Sequence, residues 1–153
     1  MNTILLIHGP NLNRLGTRDP QLYGTLTLDA LQQQTRATAQ ALGYIIRAFQ
    51  SNHEGALIDW LQENASTAAG IIMNPGALGH YSYALYDALL DTKLPCLEVH
   101  LSDIHARESW RAHSVIAPAC IAQVSGKKEQ GYQEAVKILA EHLKRVNESV
   151  VSS

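Results

Sequence analysis

The chain has 153 residues, of which 46% are hydrophobic and only 17% charged, and its formal net charge is −2. That length fits one domain, residues 1–153, large enough to bury a core, and the composition excludes a disordered chain. A near-neutral balance without a basic block argues against a nucleic-acid partner, and no run approaches the roughly 18 apolar residues of a membrane span.

The N-terminal run MNTILLIHGPN has no basic region and meets polar residues at once, so it does not read as a signal peptide. Cys96 and Cys120 each sit in an apolar run, LPCLEV and ACIAQV. We read both as reduced and buried, which makes the cytoplasm the expected compartment. The competing readings are one disulfide or a catalytic thiol.

In chain order, short apolar β-rich runs alternate with helical patterns. Strands are predicted at residues 3–8, 44–50, 70–74, 95–100 and 119–125. A long polar segment, residues 9–24, follows the first. A helical pattern then carries Leu28, Leu31, Ala39 and Leu42, and a second carries Leu57, Ile58, Leu61 and Ala65. A third carries Ala84, Leu85, Ala88 and Leu89, and a last one carries Tyr132, Ala135, Val136, Leu139 and Leu143. The tail NESVVSS, residues 147–153, reads as frayed. Strands that are apolar throughout belong in a parallel sheet covered on both faces. Five alternations therefore predict an α/β fold, a flavodoxin-like three-layer sandwich with a five-stranded parallel sheet.

Ligands of such sheets bind outside the carboxyl ends of the strands. Those exits are His8-Gly9-Pro10-Asn11, Ser51-Asn52-His53-Glu54, Asn74-Pro75-Gly76, Glu98-Val99-His100-Leu101-Ser102-Asp103 and Ser125-Gly126-Lys127. Together they suit a small, polar, hydroxylated ligand. The first exit lacks both glycine-rich nucleotide patterns and the Ser/Thr-rich phosphate loop of flavodoxins. Asn11 and Asn74 stand where a receiver domain needs acidic residues. His100, His105 and His113 match no standard zinc spacing, so no metal is expected. Lys127 and Lys128 read as solvated side chains rather than a Schiff-base site.

Residues 9–24 are too many for an idle connection and read as an active-site lid. Tyr23 ends that segment, with Arg14 and Arg18 before it. A nearby cation lowers a tyrosine pKa by about 1–3 units, which would make Tyr23 a usable base; a packing role is the alternative. Glu98 and His100 are two apart on a strand and point to one side. A carboxylate there would orient the imidazole as a general acid, unless the two are only a surface pair. Leu101 and Ser102 offer N–H groups for an anion, and Arg111 a planar fork for a carboxylate or hydroxyl, unless it is only a solvated arginine. His80 and Asp87 are seven apart, which on one helix places them on one face. The alternative is a capping histidine and a solvent-facing aspartate. Asn74 either serves the site or a turn.

The runs HGPNLNRLGTRDPQLYG, NPGALGHYSYALYDAL and LEVHLSDIHARESWRAHS resemble type II 3-dehydroquinate dehydratases, from Ile4 to about Arg145. The resemblance implies dehydration of 3-dehydroquinate to 3-dehydroshikimate without metal or organic cofactor. It implies Tyr23 as the proton-abstracting base, Arg18 as its supporting lid arginine and His100 as the general acid. Glu98 and Asn11 would position that histidine and the polar core of the site. Asn74, His80, Asp87, Leu101, Ser102 and Arg111 would bind substrate. Asp87 has two implied placements, its own site or a neighbouring subunit's. A dodecamer built from trimers is implied as well. One departure is Asp103, where the family commonly has Asn; its charge would disfavour an anionic substrate unless it pairs with Arg107 or Arg111. The alternative from another class is a flavodoxin-like module that binds a polyhydroxylated acid; a regulatory domain of the same fold is a third reading.

Overall fold

The computed structural model describes residues 2–152. Its strands are β1 (Thr3–His8), β2 (Ile45–Gln50), β3 (Gly70–Asn74), β4 (Cys96–Val99) and β5 (Ala122–Val124). They form one parallel sheet in the order β2-β1-β3-β4-β5. That order and the flanking helices are those of the flavodoxin-like sandwich expected from the alternation. The helices are α1 (Pro20–Tyr23), α2 (Leu28–Ala41), α3 (Glu54–Asn64), α4 (Tyr83–Thr92) and α5 (Glu129–Ser152).

Alternation along the strands separates two cores. Ile4, Leu6, Ile72, Leu97 and Val99 face α2 and α5, where Leu31, Tyr132, Val136 and Leu139 close over them. Leu5, Ile7, Ile71, Met73 and Cys96 face α3 and α4, against Leu57, Leu61, Leu85 and Leu89. β3 and β4 are buried along their whole length, as strands covered on both faces must be. β2 lies at an edge and is only partly covered.

Three predicted boundaries shift for backbone reasons. The Tyr44 N–H is taken by the Ala39 carbonyl at the end of α2, so β2 starts one residue later. Pro95 has no N–H to give the ladder, and β4 starts at Cys96. Residues 119–121 do not belong to β5: Pro118 lies in a 3-10 turn, Ala117–Ala119, whose Ala117 N–H is held by Ser114 Oγ at 3.1 Å. The tail is corrected outright. Through Ser152 it continues α5, because nothing after Leu143 is a glycine or proline that would stop a helix; Ser153 lies outside the described residues.

Cys96 is buried, as expected, but Cys120 is half-buried; both are free, with their sulfurs 3.5 Å apart. The Cys120 thiol and burial push the Cys96 thiol well above its ordinary range, which suits a core residue and not a nucleophile. Among the described residues no helix is long and apolar enough to cross a membrane.

Candidate active site

The topology reverses between β1 and β3, and ligands of such sheets bind there. The register pairs His8 with Asn74 at the carboxyl ends of these strands. The loops that follow lock together. A Cβ on Gly9 would stand 2.2 Å from the Pro75 carbonyl oxygen, and one on Gly76 2.9 Å from that of Pro10. Only glycine allows this approach. It brings the Asn11 and Asn74 exits onto one cavity of about 120 Å³, room for a single small ring rather than a dinucleotide.

The Asn74 side chain forms part of the floor. Its Oδ1 accepts from the Gly76 N–H at 3.1 Å, and its Nδ2 donates to the Tyr132 hydroxyl at 2.9 Å. Asn11 is half of the rim, held in a left-handed turn (φ 71°) by Asn52 Oδ1, which accepts its N–H at 2.9 Å.

Glu98 and His100 do point to one side. His100 Nε2 donates to Glu98 Oε2 at 2.5 Å, and both residues are buried, so this is no surface pair. Ser114 Oγ donates to the same carboxylate, 2.8 Å from Oε1. The carboxylate thus fixes the imidazole through Nε2 and leaves Nδ1 for the cavity that His100 lines. Beside it, neither the Leu101 nor the Ser102 N–H has a partner among the described residues, so both remain available to an anion.

Residues 9–24 are more ordered than a bare lid. A 3-10 turn, Leu12–Arg14, buries Leu12, and Leu15 is buried after it. Asp19 caps α1 by accepting the Gln21 N–H, and Pro20 suits its first turn. Tyr23 ends α1 and is held from two sides. The Arg18 guanidinium lies 3.7 Å from its ring centroid, and Arg107 Nη1 donates to its hydroxyl at 2.9 Å. Arg107 also donates to Ser102 Oγ at 3.1 Å, which ties the tyrosine to the turn that carries the Leu101 and Ser102 N–H groups.

His80 Nδ1 lies 2.7 Å from the His113 carbonyl oxygen. A carbonyl only accepts, so Nδ1 carries the proton. Burial lowers the His80 pKa against an opposing contribution from that carbonyl. Neutral His80 therefore offers Nε2 to the cavity as an acceptor. Arg111 lines the cavity and pairs with Glu108, whose pKa this partner lowers, while its guanidinium packs on Trp110.

One expectation fails. His80 and Asp87 share no helix: His80 closes the 3-10 segment Gly76–His80, and α4, capped by Ser82, begins only at Tyr83. Asp87 is exposed on α4 and does not line the cavity. Asp103 pairs with neither arginine. Its Oδ1 accepts the His105 N–H at 3.0 Å and caps the 3-10 turn Ile104–Ala106, while Arg107 and Arg111 hold other partners. Lys127 forms an exposed ion pair with Glu134, in keeping with a solvated side chain. Among the described residues no three His, Cys, Asp or Glu side chains are grouped to hold a metal ion.

Arg107, Ser114, Tyr132 and His8 were not read as site residues. Arg107 carried a signal, a second arginine in the loop that follows the Glu-x-His strand, but loop spacing does not give direction. Tyr132 was legible only as a core position of α5, since its hydroxyl partner is 58 residues away.

The fold and cavity define an α/β protein with a pocket of polar and ionisable side chains at the sheet's switch point. The chain belongs to the class II dehydroquinase family, which it matches over residues 2–140. It is 48% identical over 145 residues to a 3-dehydroquinate dehydratase of Halalkalibacterium halodurans, an alignment covering 95% of this chain and all of that protein. The solved type II dehydroquinase of Propionibacterium acnes superposes with a TM-score of 0.87 at 38% identity, covering 92% of this chain and 97% of the other. That of Butyrivibrio crossotus gives the same TM-score at 40% identity, over 90% and 97%.

Proposed function

We propose that the protein is a 3-dehydroquinate dehydratase, a hydro-lyase of the shikimate pathway that removes water by anti elimination through an enolate. The observation that carries this reading is the pairing of a tyrosine faced by two guanidinium groups with a carboxylate-held histidine on one cavity. The substrate is a β-hydroxy ketone. The Tyr23 oxygen, as phenolate, takes the proton alpha to the carbonyl. Arg107 donates to that oxygen, and the Arg18 guanidinium lies against the ring. The electrons move to the carbonyl oxygen as an enolate, whose charge needs fixed donors; Asn11, through an ordered water, supplies them. The enolate then expels the β-hydroxyl, which leaves as water with a proton from His100. Neither metal nor organic cofactor takes part in this sequence.

In the same reading Leu101 and Ser102 hold the carboxylate, and Asn74, His80 and Arg111 address the remaining oxygens. Asp87, exposed outside its own cavity, serves a neighbouring subunit's site within a dodecamer of trimers. Residues 9–24 close over the ligand, so limited proteolysis should cut within residues 13–24 of the free protein and be suppressed by substrate or product; equal cutting in both states overturns the closure. The free thiols suit a cytoplasmic location.

The test mixes protein and 3-dehydroquinate in chelator and follows the ultraviolet absorbance of the enone product. Turnover should survive borohydride treatment, since no Schiff base forms. Tyr23→Phe should lose about 10³-fold or more in kcat, the scale of a general base, and His100→Ala a comparable factor. No absorbance rise from folded protein overturns the lyase reading in favour of a module that binds a polyhydroxylated acid.

A further inference from the structure

The first strand ends on a buried imidazole. His8 is fully buried at the end of β1, and burial holds its pKa at about 3, so the ring is neutral. Its ring stacks on that of Tyr132 at a centroid distance of 5.8 Å, and its Nδ1 lies 3.4 Å from the Tyr132 hydroxyl. The same hydroxyl lies 2.9 Å from Asn74 Nδ2. Burial pushes the Tyr132 phenol up, so it keeps its proton.

One arrangement of protons satisfies all of these contacts and gives the buried Tyr132 proton an acceptor. The Gly76 N–H must be accepted by Asn74 Oδ1, so the amide is oriented with Nδ2 toward Tyr132. An amide nitrogen only donates; the hydroxyl therefore accepts from it and directs its own proton to His8 Nδ1. His8 is then the Nε2–H tautomer. That Nε2 is buried and meets no hydrogen-bond partner among the described residues, a cost to stability that an apolar side chain would avoid. The imidazole thus earns its place through Nδ1.

We propose that His8 and Tyr132 are positioning residues that lock the Asn74 amide as a donor-only group at the cavity floor. One N–H of Asn74 is held by Tyr132 and its carbonyl by Gly76, so its second N–H is what a ligand meets. His80 faces the same cavity as a neutral acceptor through Nε2. The floor therefore sorts the oxygens of its ligand: an acceptor oxygen must lie against Asn74 and a hydroxyl proton against His80. The assignment of the ligand rests on the dehydratase reading; the proton arrangement does not.

Neutron diffraction from deuterated crystals of the unaltered protein reads the arrangement directly. A deuteron on His8 Nε2, none on Nδ1, and a Tyr132 O–D bond aimed at His8 are expected. A deuteron on Nδ1 overturns the proposal whatever the protein turns over. Kinetics test the consequence. Tyr132→Phe should raise KM and weaken binding of the product 3-dehydroshikimate about fivefold, the worth of one modest hydrogen bond, with kcat held within about twofold. In an Asn74→Ala background the same exchange should leave product binding unchanged, because Tyr132 acts through Asn74. A lowered Tm with unchanged affinity, or an equal loss in both backgrounds, overturns the positioning role. Should Tyr132→Phe fail to fold, the neutron result on the unaltered protein decides. Failure of the unaltered protein to turn over 3-dehydroquinate overturns the dehydratase reading alone.

Discussion

The floor and the lid of the cavity are built differently. The floor stands on the ends of the three central strands, and its polar side chains are buried and held twice: Asn74 by Gly76 and Tyr132, and the Glu98 carboxylate by His100 and Ser114. The lid segment buries Leu12 and Leu15 in the core, and its proposed base, Tyr23, packs against that core while staying partly exposed. Among the described residues the one hydrogen bond to the Tyr23 hydroxyl comes from Arg107, 84 residues away in sequence. In the proposed mechanism the acid, His100, is thus held by buried partners, and the base, Tyr23, depends on a contact between two loops. Loss of one support should be costly on the lid and mild on the floor.

The largest effect is expected at Arg107. Arg107→Met keeps much of the side-chain volume and removes both the donor to Tyr23 and the donor to Ser102. It should lower kcat by about 10²–10³-fold, as removal of one preorganised donor does elsewhere. Far-ultraviolet circular dichroism should be unchanged, since Arg107 lies outside every strand and helix. A loss under about fivefold would mean that Arg18 alone supports the base, and the contrast between lid and floor would weaken.

A smaller effect belongs to the floor and is read in stability. Burial holds His8 at about 3, below its ordinary value of 6.5. Between those values the unfolded chain binds a proton that the folded chain refuses. The stability tied to neutral His8 is therefore complete above pH 6.5 and is lost as pH falls toward 3, at up to about 1.4 kcal/mol per unit. Denaturant unfolding at pH 6.5 and 4.5 should differ by roughly 2–3 kcal/mol more in the unaltered protein than in His8→Leu. Equal pH slopes in the two proteins would show that His8 is not neutral in the fold.

This division also explains what was legible in the sequence. Strand and helix periodicity gave five strands and the sandwich, because burial on both faces writes continuous apolar runs. Glu98 and His100 could be paired because strand geometry is local. His80 and Asp87 could not, because a 3-10 segment ended by Tyr81 and Ser82 breaks the helix that their spacing assumed. Arg107 and Tyr132 were hidden for one reason: each meets its partner across tens of residues of chain, and no periodicity records a contact between loops. Asp103 was read by its charge, whereas its position makes it a cap.

The smallest effect tests the redundancy of the floor. Ser114 Oγ donates to Glu98 and accepts from the Ala117 N–H, so it braces the carboxylate and caps a turn at once. Ser114→Ala leaves Glu98 with His100 as its partner, and the imidazole stays held through Nε2. The expected loss is about fivefold in kcat, one hydrogen bond to a charged group already held by another, with a Tm lowered by the lost cap. Tm and kcat together separate the two contributions: a cap alone would lower Tm and leave kcat unchanged, whereas a brace on Glu98 would lower kcat as well. A hundredfold loss, equal to that expected at Arg107, would show that the floor is as singly held as the lid.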